Sequence, residues 1–147
     1  MNDFRIIQAF EIWATHRDWV RGLQPDFGAG IGDRFAWAST VTEADAAAAT
    51  GRRTQIRRRM DELLADDTVL VLPTTPGIAP LRGTATNDLE IWRNRCLGLL
   101  CIAGHAGLPQ ISLPLATLDG CPLGLSLLAT RGNDTMLLEL ARRIYAH

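Results

Sequence analysis

The 147-residue sequence contains no lysine; all fifteen of its basic residues are arginine. That absence excludes a Schiff-base lysine, a lysine general base and a phosphate-loop lysine within the chain. Serine is nearly as scarce: Ser39, Ser112 and Ser126 are the only hydroxyl nucleophiles besides threonine. Cys96, Cys101 and Cys121 are odd in number, lack CxxC spacing and sit among apolar neighbours, so they are expected to be reduced core residues rather than disulfides or zinc ligands. His16, His105 and His147 share no metal-ligand spacing, and neither a metal nor a cofactor is expected. No apolar run approaches the roughly 20 residues of a membrane helix, and Met1-Asn2-Asp3-Phe4-Arg5 lacks the basic-then-apolar build of a secretory signal. A cytoplasmic location without membrane attachment is therefore expected. The near balance of fifteen basic and sixteen acidic residues provides no global field to hold nucleic acid.

What is present has the make-up of one ordinary globular domain. Hydrophobic residues form 47% and charged residues 21%, close to globular averages, and a chain of this length can bury roughly 68% of its unfolded surface. Ile7, Phe10, Trp13 or Ala14, and Val20 recur at helical spacing, predicting an amphipathic helix over about 4–23, with Asn2 or Asp3 available as its cap. Three glycines and a proline between Gln24 and Gly32 predict a loop, followed by a short helical turn near Asp33 to Ser39. Thr42-Glu43-Ala44-Asp45 has the spacing of a capping arrangement before an Ala- and Arg-rich helix running to about Ala65. Val69-Leu70-Val71-Leu72 reads as a strand buried on both faces, and Pro73 to Pro80 as a loop stiffened by Pro76 and Pro80.

A further helix is predicted over about 87–103, largely buried, interrupted by Gly98 and stopped by Gly104. Gln110 to Leu113 and Leu123 to Ala129 read as two strands with Asp119-Gly120 in their connection, an arrangement open to a hairpin. Asn133 or Asp134 is placed to cap a last helix carrying Met136, Leu137, Leu140 and Ile144 on one face. The order predicts α/β layering, but with few strands for a complete domain of that class.

Chemistry is harder to find. Arg52, Arg53, Arg57, Arg58 and Arg59 form the sharpest charge cluster, yet Asp61 and Glu62 stand four residues beyond Arg57 and Arg58. The cluster therefore reads as a solvated, ion-paired helix face. Ser112 with His105 and a distant Asp is a poor match to a hydrolase triad, because Ser112 lies in an apolar, proline-bounded strand rather than on a nucleophile elbow. No GxSxG, P-loop or GxGxxG sequence occurs. Arg93 and Arg95 beside Trp92 could orient a carbonyl or carboxylate, but pairing with Glu90 or with the Asp26 or Asp33 region is the simpler reading; Thr74 and Thr75 could line a pocket or, more simply, form a turn.

Three segments together resemble the C-terminal part of the amidase signature hydrolases. They are Val69-Leu70-Val71-Leu72-Pro73-Thr74-Thr75-Pro76-Gly77-Ile78-Ala79-Pro80, Ala106-Gly107-Leu108-Pro109-Gln110-Ile111-Ser112-Leu113-Pro114 and Pro122-Leu123-Gly124-Leu125-Ser126-Leu127-Leu128. Asp134 with Leu137, Leu138 and Ala141 fits the closing helix of that family. Trp92-Arg93-Asn94-Arg95, Ser126-Leu127-Leu128-Ala129 and Gly132 look most like amidases related to plant indole-acetamide hydrolases.

The resemblance implies the C-terminal portion, residues 1–147, of a mixed β-sheet covered by helices. It also implies hydrolysis of a small-molecule carboxylic amide by a serine nucleophile, a second serine in a cis peptide and a lysine base. Those groups belong to the family's N-terminal portion. With no lysine and no glycine-serine-serine run here, no catalytic residue is carried over. What the resemblance assigns instead is substrate contact at Thr74, Pro76, Trp92 and Arg95, with Arg34 in the glycine-rich loop to short helix. The expectation is an amidase piece that is inactive alone and that either joins its missing N-terminal half or self-associates. The alternatives are a noncatalytic binding or assembly module derived from an amidase, and a decayed product without a role.

Overall fold

A computed structural model describes residues 1–28, 30–65 and 68–146. His147, one of the three histidines considered above, lies outside them. The chain divides into two compact units, Met1–Gln55 and Ile56–His147.

In the first unit, α1 (Asn2–Leu23) packs against α2 (Ile31–Ala38), and α3 (Glu43–Leu63) begins. Ile7 and Ala9 are the buried residues of α1, while Phe10, Trp13 and Val20 are half-buried. An aromatic group joins the elements: Phe27 stacks on Phe35 at 4.9 Å, and Trp19 meets both rings edge-on. The α1 helix stops where Gln24 turns into the left-handed region and its N–H reaches the Val20 carbonyl. Neither Asn2 nor Asp3 caps it. Met1 occupies the cap position, and Asp3, inside the first turn, instead accepts from Arg52. The capping arrangement predicted for α3 does form: Asp45 N–H donates to the Thr42 hydroxyl at 3.2 Å, and Thr42 N–H donates to the Asp45 carboxylate at 3.1 Å.

The second unit contains the end of α3, then β1 (Leu70–Pro73), α4 (Thr86–Ala106), β2 (Gln110–Leu118), β3 (Cys121–Leu128) and α5 (Asp134–Tyr145). The strands form an antiparallel sheet in the order β1-β3-β2. Asp119 and Gly120, both at positive φ, close the β2–β3 hairpin in two residues, the conformation a tight hairpin turn requires. The register shifts between Leu113 and Ala116, where Pro114 has no N–H to offer the ladder.

Side-chain alternation splits the sheet into two faces. Leu113 and Leu127 pack with Ala129, Leu137 and Ala141 under α5. Leu128, with Leu70 and Leu72, packs against Leu64, Ala106 and Leu108 on the side of α3 and α4.

Several local expectations are corrected. The β1 strand is not buried on both faces: it is an edge strand with alternating burial, and Val71 is 52% exposed. The α4 helix runs unbroken through Gly98 and Gly104 and ends at Gly107, whose φ of +69° provides the left-handed cap that an interior glycine does not. It is not largely buried, for Ile91 and Leu100 face outward. Asn133 is the α5 cap residue by position but makes no side-chain cap bond. Cys96 and Cys101 are buried, but Cys121 at the hairpin is half-buried; all three are free thiols.

Arg58 pairs with Glu62 as predicted, at 3.1 Å, but Arg57 and Asp61 do not pair. Asp61 takes Arg131 at 2.7 Å, and Arg57 donates to the His105 carbonyl. Arg131 also donates to the Ala106 carbonyl at 3.0 Å. The last carbonyls of α4 lack partners within their own helix and lie at the negative end of its dipole, so they draw in both guanidiniums.

Candidate functional site

On the α4 side of the sheet, apolar burial gives way to a connected set of hydroxyls. Ser112 on β2 and Ser126 on β3 are register partners and therefore share a face. Thr74, two positions after Leu72, falls on that face as well, and its N–H continues the ladder to the Gly124 carbonyl at 2.8 Å. Its Oγ1 lies 2.6 Å from Ser112 Oγ and 2.9 Å from Ser126 Oγ, and Gln110 Nε2 donates to Ser126 Oγ at 2.9 Å. Ser126 is fully buried, whereas Ser112 is exposed.

The cluster depends on Gly124: a Cβ there would come within 2.6 Å of Thr74 Oγ1 and 2.8 Å of Ser112 Oγ. Thr75 Oγ1 donates to the Gly77 carbonyl at 2.8 Å, shaping the loop that leaves the cluster.

Of the residues assigned substrate contact, Thr74 lies at the centre of this cluster and Pro76 is exposed in the adjoining loop. Trp92 and Arg95 lie three apart on α4. Trp92 is half-buried, and its indole Nε1 is enclosed without a hydrogen-bond partner among the described residues; Arg95 is exposed. The neighbouring Arg93 pairs with Glu90. Arg34 lies in the first unit on α2, where it lines a cleft of about 330 Å³ with Arg5, Gln8, Phe35 and Trp37.

Sequence reasoning missed the roles of Gln110, Ser126 and Gly124, and weighed Ser112 only as a nucleophile. Ser112 engages Thr74, and His105 is buried in α4, with its carbonyl accepting from Arg57. Among the described residues, no group of three or more metal-ligating side chains forms a metal site, and no helix is long and apolar enough to cross a membrane. Burial pushes the Cys96 thiol up, away from the reactive thiolate.

Comparison with known proteins decides the family. The amidase profile matches residues 22–138. The chain belongs to the amidase family. It is 32% identical to Amidase 1 of Arabidopsis thaliana over 145 residues, which is 99% of this chain and 34% of that protein. It is also 28% identical to the chloroplastic Outer envelope protein 64 of the same plant, covering 98% of this chain and 24% of that protein. Its fold matches an allophanate hydrolase of Kluyveromyces lactis with a TM-score of 0.80, at 23% identity, over 98% of this chain and 25% of that one. The chain thus spans between about a quarter and a third of the length of these three proteins.

Proposed function

We propose that this chain supplies the C-terminal, substrate-facing part of an enzyme that hydrolyses a carboxylic amide to an acid and ammonia or an amine. The observation that carries the reading is end-to-end similarity to one third of a plant Amidase 1, at 32% identity. The chemistry is that of an acyl-enzyme: a serine attacks the amide carbonyl, a lysine takes its proton through a bridging second serine, and water then releases the acid. This chain has no lysine, and none of its three serines stands beside a glycine-serine-serine run, so the triad lies outside it. Its own contribution is wall and orientation: Thr74 and Pro76 after β1, Trp92 and Arg95 on α4, and Arg34 on α2.

A serine-directed fluorophosphonate tests this assignment. The chain alone stays unlabelled, while labelling of an added remainder of Amidase 1 appears when the two are combined. Labelling of Ser112 or Ser126 in the isolated chain contradicts it.

One observation favours a second reading, a noncatalytic assembly module. A relative of similar coverage is named for the chloroplast outer envelope rather than for a reaction. Stable binding to an unrelated partner, with no activity gained from an amidase remainder, supports that reading.

A further inference from the structure

The cleft of the first unit is made by helix spacing. Arg5, Gln8 and Ile12 share one stripe of α1, and Arg34 shares a stripe of α2 with Trp37 and Ala38, three and four residues on. Ala9 and Ala38 are buried at its base, and their small side chains leave the hollow of about 330 Å³ open above them. The walls are of two kinds. Trp37, 45% exposed, Ile12 and half-buried Phe35 are apolar, and Phe35 is fixed by stacking on Phe27. Arg5, Arg34 and Gln8 bring N–H donors, and no carboxylate lines the cleft among the described residues. Arg34 is exposed and makes no ion pair among them. Charge of one sign in a cleft with apolar walls concentrates ligands of the opposite sign.

We propose that this cleft binds a small aromatic carboxylate, its acid group on Arg34 and Gln8 in the positive field of Arg5, and its ring against Trp37, Ile12 and Phe35. The paired N–H groups of a guanidinium match the two oxygens of a carboxylate. An inorganic anion gains nothing from the apolar walls. The volume stands at the low end for ligand sites, which suits one ring with a short acidic arm and not a peptide segment or a nucleotide. The inference stands on the cleft alone and goes beyond the wall role given to Arg34 above, because what Arg34 meets is a negative charge.

The test is titration of the ¹⁵N-labelled chain with phenylacetate, read at the Trp37 indole N–H, which Trp37→Phe identifies. Phenylacetate should shift that resonance saturably. Phenylacetamide, of the same shape without the charge, should bind at least about tenfold more weakly, and Arg34→Gln should weaken phenylacetate by roughly tenfold, the worth of one charged hydrogen bond. Arg58→Gln, on exposed α3, should leave the affinity unchanged, which separates the cleft from general attraction to arginines.

Four results overturn the proposal: no phenylacetate binding, equal affinity for phenylacetamide, an Arg34→Gln chain that binds as wild type, or displacement of phenylacetate by equimolar inorganic phosphate. Arg34 lies on the surface of α2, and an unchanged amide spectrum of Arg34→Gln shows that lost binding is not lost folding. Ammonia release by the chain joined to an amidase remainder is measured separately, so an empty cleft refutes this site and leaves the amidase reading standing.

Discussion

A single methyl group at position 124 would sit 2.6 Å from the Thr74 hydroxyl and 3.0 Å from its Cβ. Gly124→Ala is accordingly expected to cost about 1–3 kcal/mol, the range for overpacking a close-fitted site, measured by urea unfolding. Gly51, in the interior of α3 with open space around its Cα, is the matched contrast: Gly51→Ala should stabilise by about 0.5–1 kcal/mol. Among the thiols, half-buried Cys121 should react first with an aromatic disulfide reagent. Cys96, buried and held in its neutral form, should react only on unfolding; equal rates would contradict the burial described. Thr74 could be singled out in the sequence because it follows an apolar run and sits in a proline-shaped loop. Ser112, Ser126 and Gln110 could not, because their meeting depends on the β2–β3 register, which couples residues fourteen to sixteen positions apart.

At the scale of elements, periodicity and capping chemistry were informative wherever the deciding interaction is local. Among the described residues the four predicted helices lie near their expected places, the predicted helical turn is the short α2, the three strands appear with β2 running on to Leu118, and the Thr42–Asp45 cap forms as its spacing indicates. The bonds from Thr42 hold the Asp45 carboxyl below its ordinary value of 3.8. The stabilisation they give is therefore complete above the unfolded carboxyl range and is lost as pH falls through the lower folded value. The Asp45 and Ala46 amide resonances should report α3 fraying only in that acid window, and fraying that begins near neutrality would contradict the cap.

Expectations failed where a distant element competed. Arg57 and Asp61 were drawn to the end of α4 and to Arg131, neither of which spacing along α3 reveals. Arg131→Ala removes both an ion pair and a bond to the Ala106 carbonyl, and is expected to destabilise by about 1 kcal/mol in thermal or urea unfolding. An equal loss in Arg58→Ala, whose pair is exposed and within one helix, would contradict the assignment.

At the scale of the whole molecule, three strands beneath several apolar helices signalled an incomplete layer already in the sequence. Leu81 is 81% exposed, and Val71, Ile91 and Leu100 also face outward. Such surface drives association, so sedimentation should show concentration-dependent self-association of the chain, relieved by an amidase remainder that covers it. A monodisperse monomer at high concentration would count against this. What the sequence could not convey is which side of the sheet carries the hydroxyl cluster, since that follows from strand order β1-β3-β2 and not from any one segment.

The measurement that bears most directly on the central claim is ammonia release from phenylacetamide by the purified chain, alone and after co-expression with the remaining two thirds of Arabidopsis thaliana Amidase 1. The account predicts no turnover by the chain alone and turnover when the two are joined. Turnover by the chain alone, abolished by Ser112→Ala, would contradict it.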